Sequence, residues 1–158
     1  MITILSGRPE EILRFRAGPW QFQQTFETPL KDLDRFVSTF LAPFSLRKGL
    51  LCIFEVVFEP EHLLELMANE GIVPENCYEL NVCAQGQHGV KALLEAALHD
   101  WVDFIFVPTP DSFAICADHD EFTTFYTNSR PVLKSLCSEL KQAGFEAVPG
   151  YERPEELY

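Results

Sequence analysis

The sequence predicts an α+β fold in which a mainly antiparallel sheet carries helices packed on it and a C-terminal β-meander is followed by a helix. Three observations lead there. Val102–Val107, Phe113–Ala117 and Phe122–Thr127 are β-rich runs separated by the short turn-forming stretches Pro108–Ser112 and Asp118–Glu121, the pattern of an antiparallel meander. Leu50–Phe58 is apolar at nearly every position, as a strand buried on both faces must be. Strands and helices alternate through the first two thirds of the chain, so a three-layer α/β arrangement is the alternative.

The elements follow in order. Ile2–Leu5 is a short strand, and a helix begins around Pro9 with Ser6 or Gly7 as its cap and Glu10 and Glu11 in its first turn. Gly18-Pro19 ends it, and Trp20–Phe26 alternates weakly as a strand. Thr28 is positioned to cap a helix with Pro29 first, in which Leu30, Leu33, Phe36, Val37, Phe40 and Leu41 share one face. After the Leu50–Phe58 strand, Pro60 starts a helix that runs to Asn69 and stops at Gly71. Tyr78–Ala84 reads as a strand and Gln85–Gly89 as a turn. Val90–His99 is a helix with Val90, Leu93, Leu94, Ala97 and Leu98 inward. Asn128 or Ser129 caps the last helix, Gly144 ends it, and Phe145–Val148 returns as an edge strand. Residues 1–148 make a single globular domain, and 149–158 form a polar C-terminal tail that frays.

Composition narrows the function. The chain has 158 residues, 47% of them hydrophobic, and fourteen are Phe, enough apolar bulk for one sizeable core. No apolar run reaches the length of a membrane span. The N-terminus lacks the basic and apolar regions of a signal peptide, so the chain is read as cytoplasmic. The five cysteines, an odd number without a Cys-x-x-Cys pair, are read as reduced, buried small hydrophobes.

Charge is the most informative feature. The net charge is −12, yet residues 49–129 alone hold fourteen carboxylates against one basic side chain, Lys91. Such a segment repels nucleic-acid phosphate and anionic membrane, so neither is expected as a partner. It attracts a basic protein and speeds the encounter.

The sequence therefore points to an acidic protein-binding module, most concretely an inhibitor or immunity-type protein that neutralises a basic partner such as a nucleic-acid-processing enzyme. Its likeness to small acidic immunity proteins is one of size and charge alone. Glu61, Glu65, Glu79, Asp118, His119, Asp120 and Glu121 are the polar candidates for that contact, with Tyr78, Trp101 and Tyr126 as aromatic anchors.

Other chemistry is weighed against this. Asp118-His119-Asp120-Glu121 gathers four acid, base or metal-ligating groups, which makes a small metal-assisted hydrolase the alternative. Its place at a hairpin tip is explained more simply by the turn preference of Asp. Glu95 and His99 lie four apart on one helix, and His62 and Glu65 three apart on another. Each pair lacks a third ligand and a second motif, so each is read as a solvated helix pair. Gly86 and Gly89 precede a helix without the Lys and Ser/Thr of a phosphate loop. No catalytic motif is present, so no catalytic residue, metal or cofactor is assigned and the balance is against an enzyme. A Phe-rich surface covered by a second copy or another chain, as in an accessory subunit, is the third reading.

Overall fold

A computed structural model describes residues 1–154. Seven strands form one antiparallel sheet in the order β1-β4-β3-β5-β6-β7-β2. They are β1 (Ile2–Leu5), β2 (Phe22–Glu27), β3 (Lys48–Glu55), β4 (Asn81–Gln85), β5 (Asp103–Thr109), β6 (Ala114–Ala117) and β7 (Phe122–Thr127). Five helices accompany them: α1 (Glu10–Ala17), α2 (Leu33–Leu41), α3 (Glu61–Asn69), α4 (Gly86–His99) and α5 (Arg130–Gln142). This is the expected α+β class, with the meander β5-β6-β7 leading into a final helix.

The two central strands determine how the layers stack. Side chains alternate across a sheet, and in β3 and β5 both sets are apolar. Leu51, Ile53, Phe104 and Phe106 join the inner faces of α2, α3, α4 and α5 in one large core. Leu50, Cys52, Ile105 and Val107 face the other way, into a smaller cluster closed by Ile12 of α1 with Phe15 and Trp20. In the larger core Phe36 meets Phe40 edge to face at 5.4 Å and Phe40 meets Phe125 in the same way at 5.0 Å. Of the fourteen Phe only Phe58 is exposed, at 56%, so Phe builds the core and does not coat the surface.

Several local expectations change. Thr28 does not cap α2. Its hydroxyl is spent on Thr123 at 2.7 Å, a turn of 3-10 helix at Leu30–Asp32 intervenes, and α2 starts at Leu33. Gln85–Gly89 is not a free turn, because α4 begins at Gly86, where a φ of 74° lets the chain swing from strand into helix. Gln87 fixes that first turn. It accepts from the Leu46 amide at 2.9 Å and donates to the Leu41 carbonyl at 3.1 Å. Neither Ser6 nor Gly7 caps α1, whose N-cap is Pro9. Strand β3 ends at Glu55, so Val56–Phe58 lie in the connection to α3. Phe145–Val148 makes a single bridge, Phe26 to Ala147, flanked by main-chain bonds from Glu27 to Glu146 and from Val148 to Thr25.

Of the expected polar tail, residues 155–158 lie outside the described residues. Within the rest, Arg153 is 2% exposed, which runs against fraying.

Gly49 shows how tightly the sheet meets its helices. A Cβ there would lie 2.4 Å from the Phe106 ring and 3.0 Å from a Val90 methyl. Both neighbours are fully buried. We expect Gly49→Ala to lower unfolding free energy by about 1–3 kcal/mol through overpacking, measured by urea denaturation. Gly71→Ala serves as a contrast, because open space surrounds it and any loss comes from its φ of 76°.

Candidate partner-binding end of the sheet

The strand register decides where the acidic residues go. Glu55 of β3 pairs with Asp103 of β5, Phe104 with Ala117, Ala117 with Thr123, and Phe122 with Glu27. The C-terminal ends of β2, β3 and β6 and the N-terminal ends of β4, β5 and β7 therefore lie at one end of the sheet. The connections at that end carry Glu27, Glu55, Glu59, Glu61, Glu79, Asp120, Glu121 and Glu146, all exposed. Val57, Phe58 and Tyr78 share this end, with Phe58 at 56% and Tyr78 at 61% exposure. Arg47, Lys48 and Arg130 sit at the opposite end, where β3 and α4 begin and β7 stops. The exposed cations at the acidic end are Arg8, Lys31, Arg35 and Lys141, with Arg35 paired to Asp32 at 2.5 Å, while half-buried Arg16 and buried Arg153 also lie there.

Not every carboxylate in this region faces solvent. Asp100, Asp103 and Asp118 each turn inward to an internal partner. Asp100, 6% exposed, sits just past the C-terminus of α4 and caps the N-terminus of α3. It accepts from the amides of His62 at 3.2 Å and Leu63 at 2.8 Å, and from His62 Nδ1 at 2.7 Å. Asp103 accepts from the His119 amide and from its Nδ1, both at 2.9 Å. Asp118 pairs with the Arg153 guanidinium.

The Asp118–Glu121 cluster is thus pulled apart by its neighbours. Arg153 donates from Nε to the Thr124 hydroxyl at 2.9 Å and from a terminal nitrogen to the Phe122 carbonyl at 3.3 Å. The Asp120 amide donates to Asp118 at 3.0 Å, closing the turn. Glu121 adopts a φ of 71° at the tip. Asp103 holds the His119 ring, whose Nε2 lies 3.9 Å from Asp120. The hydrogen bond to Asp103 raises the His119 pKa above its ordinary value of 6.5, against a smaller opposing effect of burial. What results is a braced tip with Asp120 and Glu121 outward.

The ten sequence candidates separate accordingly. Glu61, Tyr78, Glu79, Trp101, Asp118, His119, Asp120 and Glu121 all belong to the acidic end. Trp101 is half-buried with a φ of 55°, and Asp118 is largely consumed by Arg153. Glu65 lies one turn into α3, where it lines a groove against α4. Tyr126 sits near the far end of β7 and is 8% exposed, packed under Phe15 and Trp20 at ring distances of 5.5 and 6.2 Å. It is a core residue of the α1 face, and it alternates with Phe125 as any residue of a doubly covered strand does. Phe58 was missed. The available signal was its position beside Glu59-Pro60, where a helix start must end the strand. Arg153 was missed because nothing local marks a single Arg in a polar tail as buried.

A cleft of about 410 Å³ opens on the α1 side of the acidic end, lined by Arg8, Arg16, Cys52, Phe54, Glu79 and Asn81 among others. Arg16 Nε and Asn81 Oδ1 are buried there without a hydrogen-bond partner. Asn81 Nδ2 is committed to the Gly7 carbonyl at 2.7 Å. Burial raises the Cys52 thiol pKa, and also those of Cys77, Cys83 and Cys137, which keeps these thiols protonated. None of the five cysteines is in a disulfide.

Comparison with known proteins finds no matching family model, no matching curated protein and no matching solved structure.

Two outcomes test this site's internal bracing. Arg153→Met leaves the Asp118 carboxylate, 11% exposed, without its cation. It should destabilise the fold by about 3 kcal/mol, and Arg153→Met combined with Asp118→Leu should recover most of that in urea denaturation. His119 has a raised folded pKa, so its stabilisation is complete below about 6.5 and is lost as pH rises through the higher folded value. Thermal scans between pH 6 and pH 8 should show that loss in the parent and not in His119→Asn.

Proposed function

We propose that the protein is an acidic protein-binding module that neutralises a basic partner, most concretely an inhibitor or immunity-type protein acting on a nucleic-acid-processing enzyme. One observation carries the reading. Carboxylates from separate connections, β2–α2, β3–α3, α3–β4, β6–β7 and the segment after α5, are collected at one sheet end together with exposed Phe58 and Tyr78. An electronegative rim steers a cationic protein and speeds its approach, while buried aromatic contacts slow its departure. Nucleases are cationic where they hold phosphate, so an acidic end of this kind fits against the surface they use for substrate.

The hydrolase alternative finds less support. Asp118 and His119 are each committed to a different internal partner, Arg153 and Asp103, and do not converge on a common point with Asp120 and Glu121.

The test is a binding screen of purified cationic nucleases by surface plasmon resonance at low and physiological ionic strength. Binding to at least one should weaken steeply with salt. Reversing Glu59, Glu79 and Asp120 to Lys together should slow association. Phe58→Ala should weaken affinity by about tenfold or more through faster dissociation. Absence of binding across the panel, or binding indifferent to salt and to the triple reversal, overturns the proposal.

A further inference from the structure

The two helical pairs that each lack a second motif are brought together by the fold. Helix α3 starts at the acidic end with His62, and α4 finishes at the same end with His99 and the adjoining Asp100. The helices pack antiparallel, so the His62–Glu65 pair of one faces the Glu95–His99 pair of the other. All four side chains line one groove of about 500 Å³ between α2, α3 and α4. The imidazoles of His62 and His99 are in contact, their centroids 3.7 Å apart and their planes tilted by 32°. Ligand atoms of His62, His99 and Asp100 all lie within 4.8 Å of one another.

From this juxtaposition we infer that the α3–α4 groove is a binding site for a divalent transition metal of the zinc class, held by His62 and His99 with a carboxylate of the groove as third ligand. Asp100 is the orienting group. It is a buried carboxylate whose oxygens already accept the His62 and Leu63 amides and His62 Nδ1. With Nδ1–H donated to Asp100, the lone pair on His62 is at Nε2, the state in which imidazole binds a metal. A carboxylate behind a ligating His is the usual support for such a bond. Spacing agrees as well. Residues three or four apart on a helix project from one face, and a Glu/His pair on each of two facing helices supplies a mixed nitrogen and oxygen set.

Glu95 and Glu65 line the same groove and are the candidates for that third ligand. Glu95 Oε1 is held by Lys91 at 3.0 Å. Lys91 also reaches Asp34 at 2.5 Å, so it keeps a carboxylate if Glu95 turns to a metal. The chemistry is independent of the partner-binding reading, because these ligands face a groove and not the outer rim.

The experiment is a Co²⁺ titration of the purified full chain followed by visible absorption, with Zn²⁺ added as competitor. Saturable one-to-one binding should appear with ligand-field bands, and Zn²⁺ should abolish them. His62→Ala and His99→Ala should each weaken binding by about tenfold or more. Glu95→Gln and Glu65→Gln then identify the third ligand. His88→Ala and His119→Ala should leave the titration unchanged, and thermal midpoints measured in chelator check that the His62 and His99 variants still fold. Zn²⁺ should raise the midpoint of the parent and of His119→Ala but not of His99→Ala. No saturable bands, or a loss equal in the His119 or His88 variants, overturns the assignment.

Discussion

Everything in this molecule follows from two neighbouring strands that are apolar on both faces. Burying Leu50, Leu51, Cys52 and Ile53 against Ile105, Phe104, Phe106 and Val107 makes the two central strands apolar on both surfaces of the sheet. Helices must then cover both sides, four on one and a single short one on the other. Most carboxylates of the middle segment lie at strand ends and in connections, the exceptions being Glu61 and Glu65 on α3 and Glu95 on α4. Antiparallel pairing does the rest, because it returns alternate connections to the same end. An acidic pole is thus a consequence of how the core is buried, and no residue has to be placed there by a separate device.

The same logic separates formal charge from effective charge. Residues 49–129 carry fourteen carboxylates, but Asp100, Asp103 and Asp118 serve inside the fold. One caps a helix and braces an imidazole, one holds a second imidazole, and one neutralises a buried guanidinium. Each sits where a strand or helix terminates and main-chain amides or basic groups need an acceptor. The outward field comes from exposed carboxylates such as Glu59, Glu79, Asp111 and Asp120. A count along the sequence cannot make that division, because the partners are distant: Arg153 is thirty-five residues from Asp118, and Asp100 caps a helix thirty-seven residues earlier.

What could be read from the sequence was whatever depends on local periodicity. The meander, the inward faces of α2 and α4, and a cap at Asn128 or Ser129 all rest on local patterns, and the structure has them, with Ser129 as the cap. Failures occur where a side chain had two possible partners. Thr28 is a sound helix cap by type, yet a hydroxyl across the sheet claims it. Gly86 resembles a turn residue and proves to be the first residue of a helix. Tyr126 resembles a surface anchor, but its strand is covered on both sides. The groove between α3 and α4 was half legible, since both Glu/His pairs were visible and only their meeting was not.

The two margins of the sheet are unequal. Along β2 the main chain of Glu146–Val148 supplies bonds to Thr25 and Glu27, so the C-terminal half of that margin is covered. At the other margin β1 pairs with β4 alone, is only four residues long, and exposes Ile4 and Leu5. Among the described residues, β1 is therefore the margin more open to main-chain pairing with another chain, and its four-residue length limits how much such pairing can add.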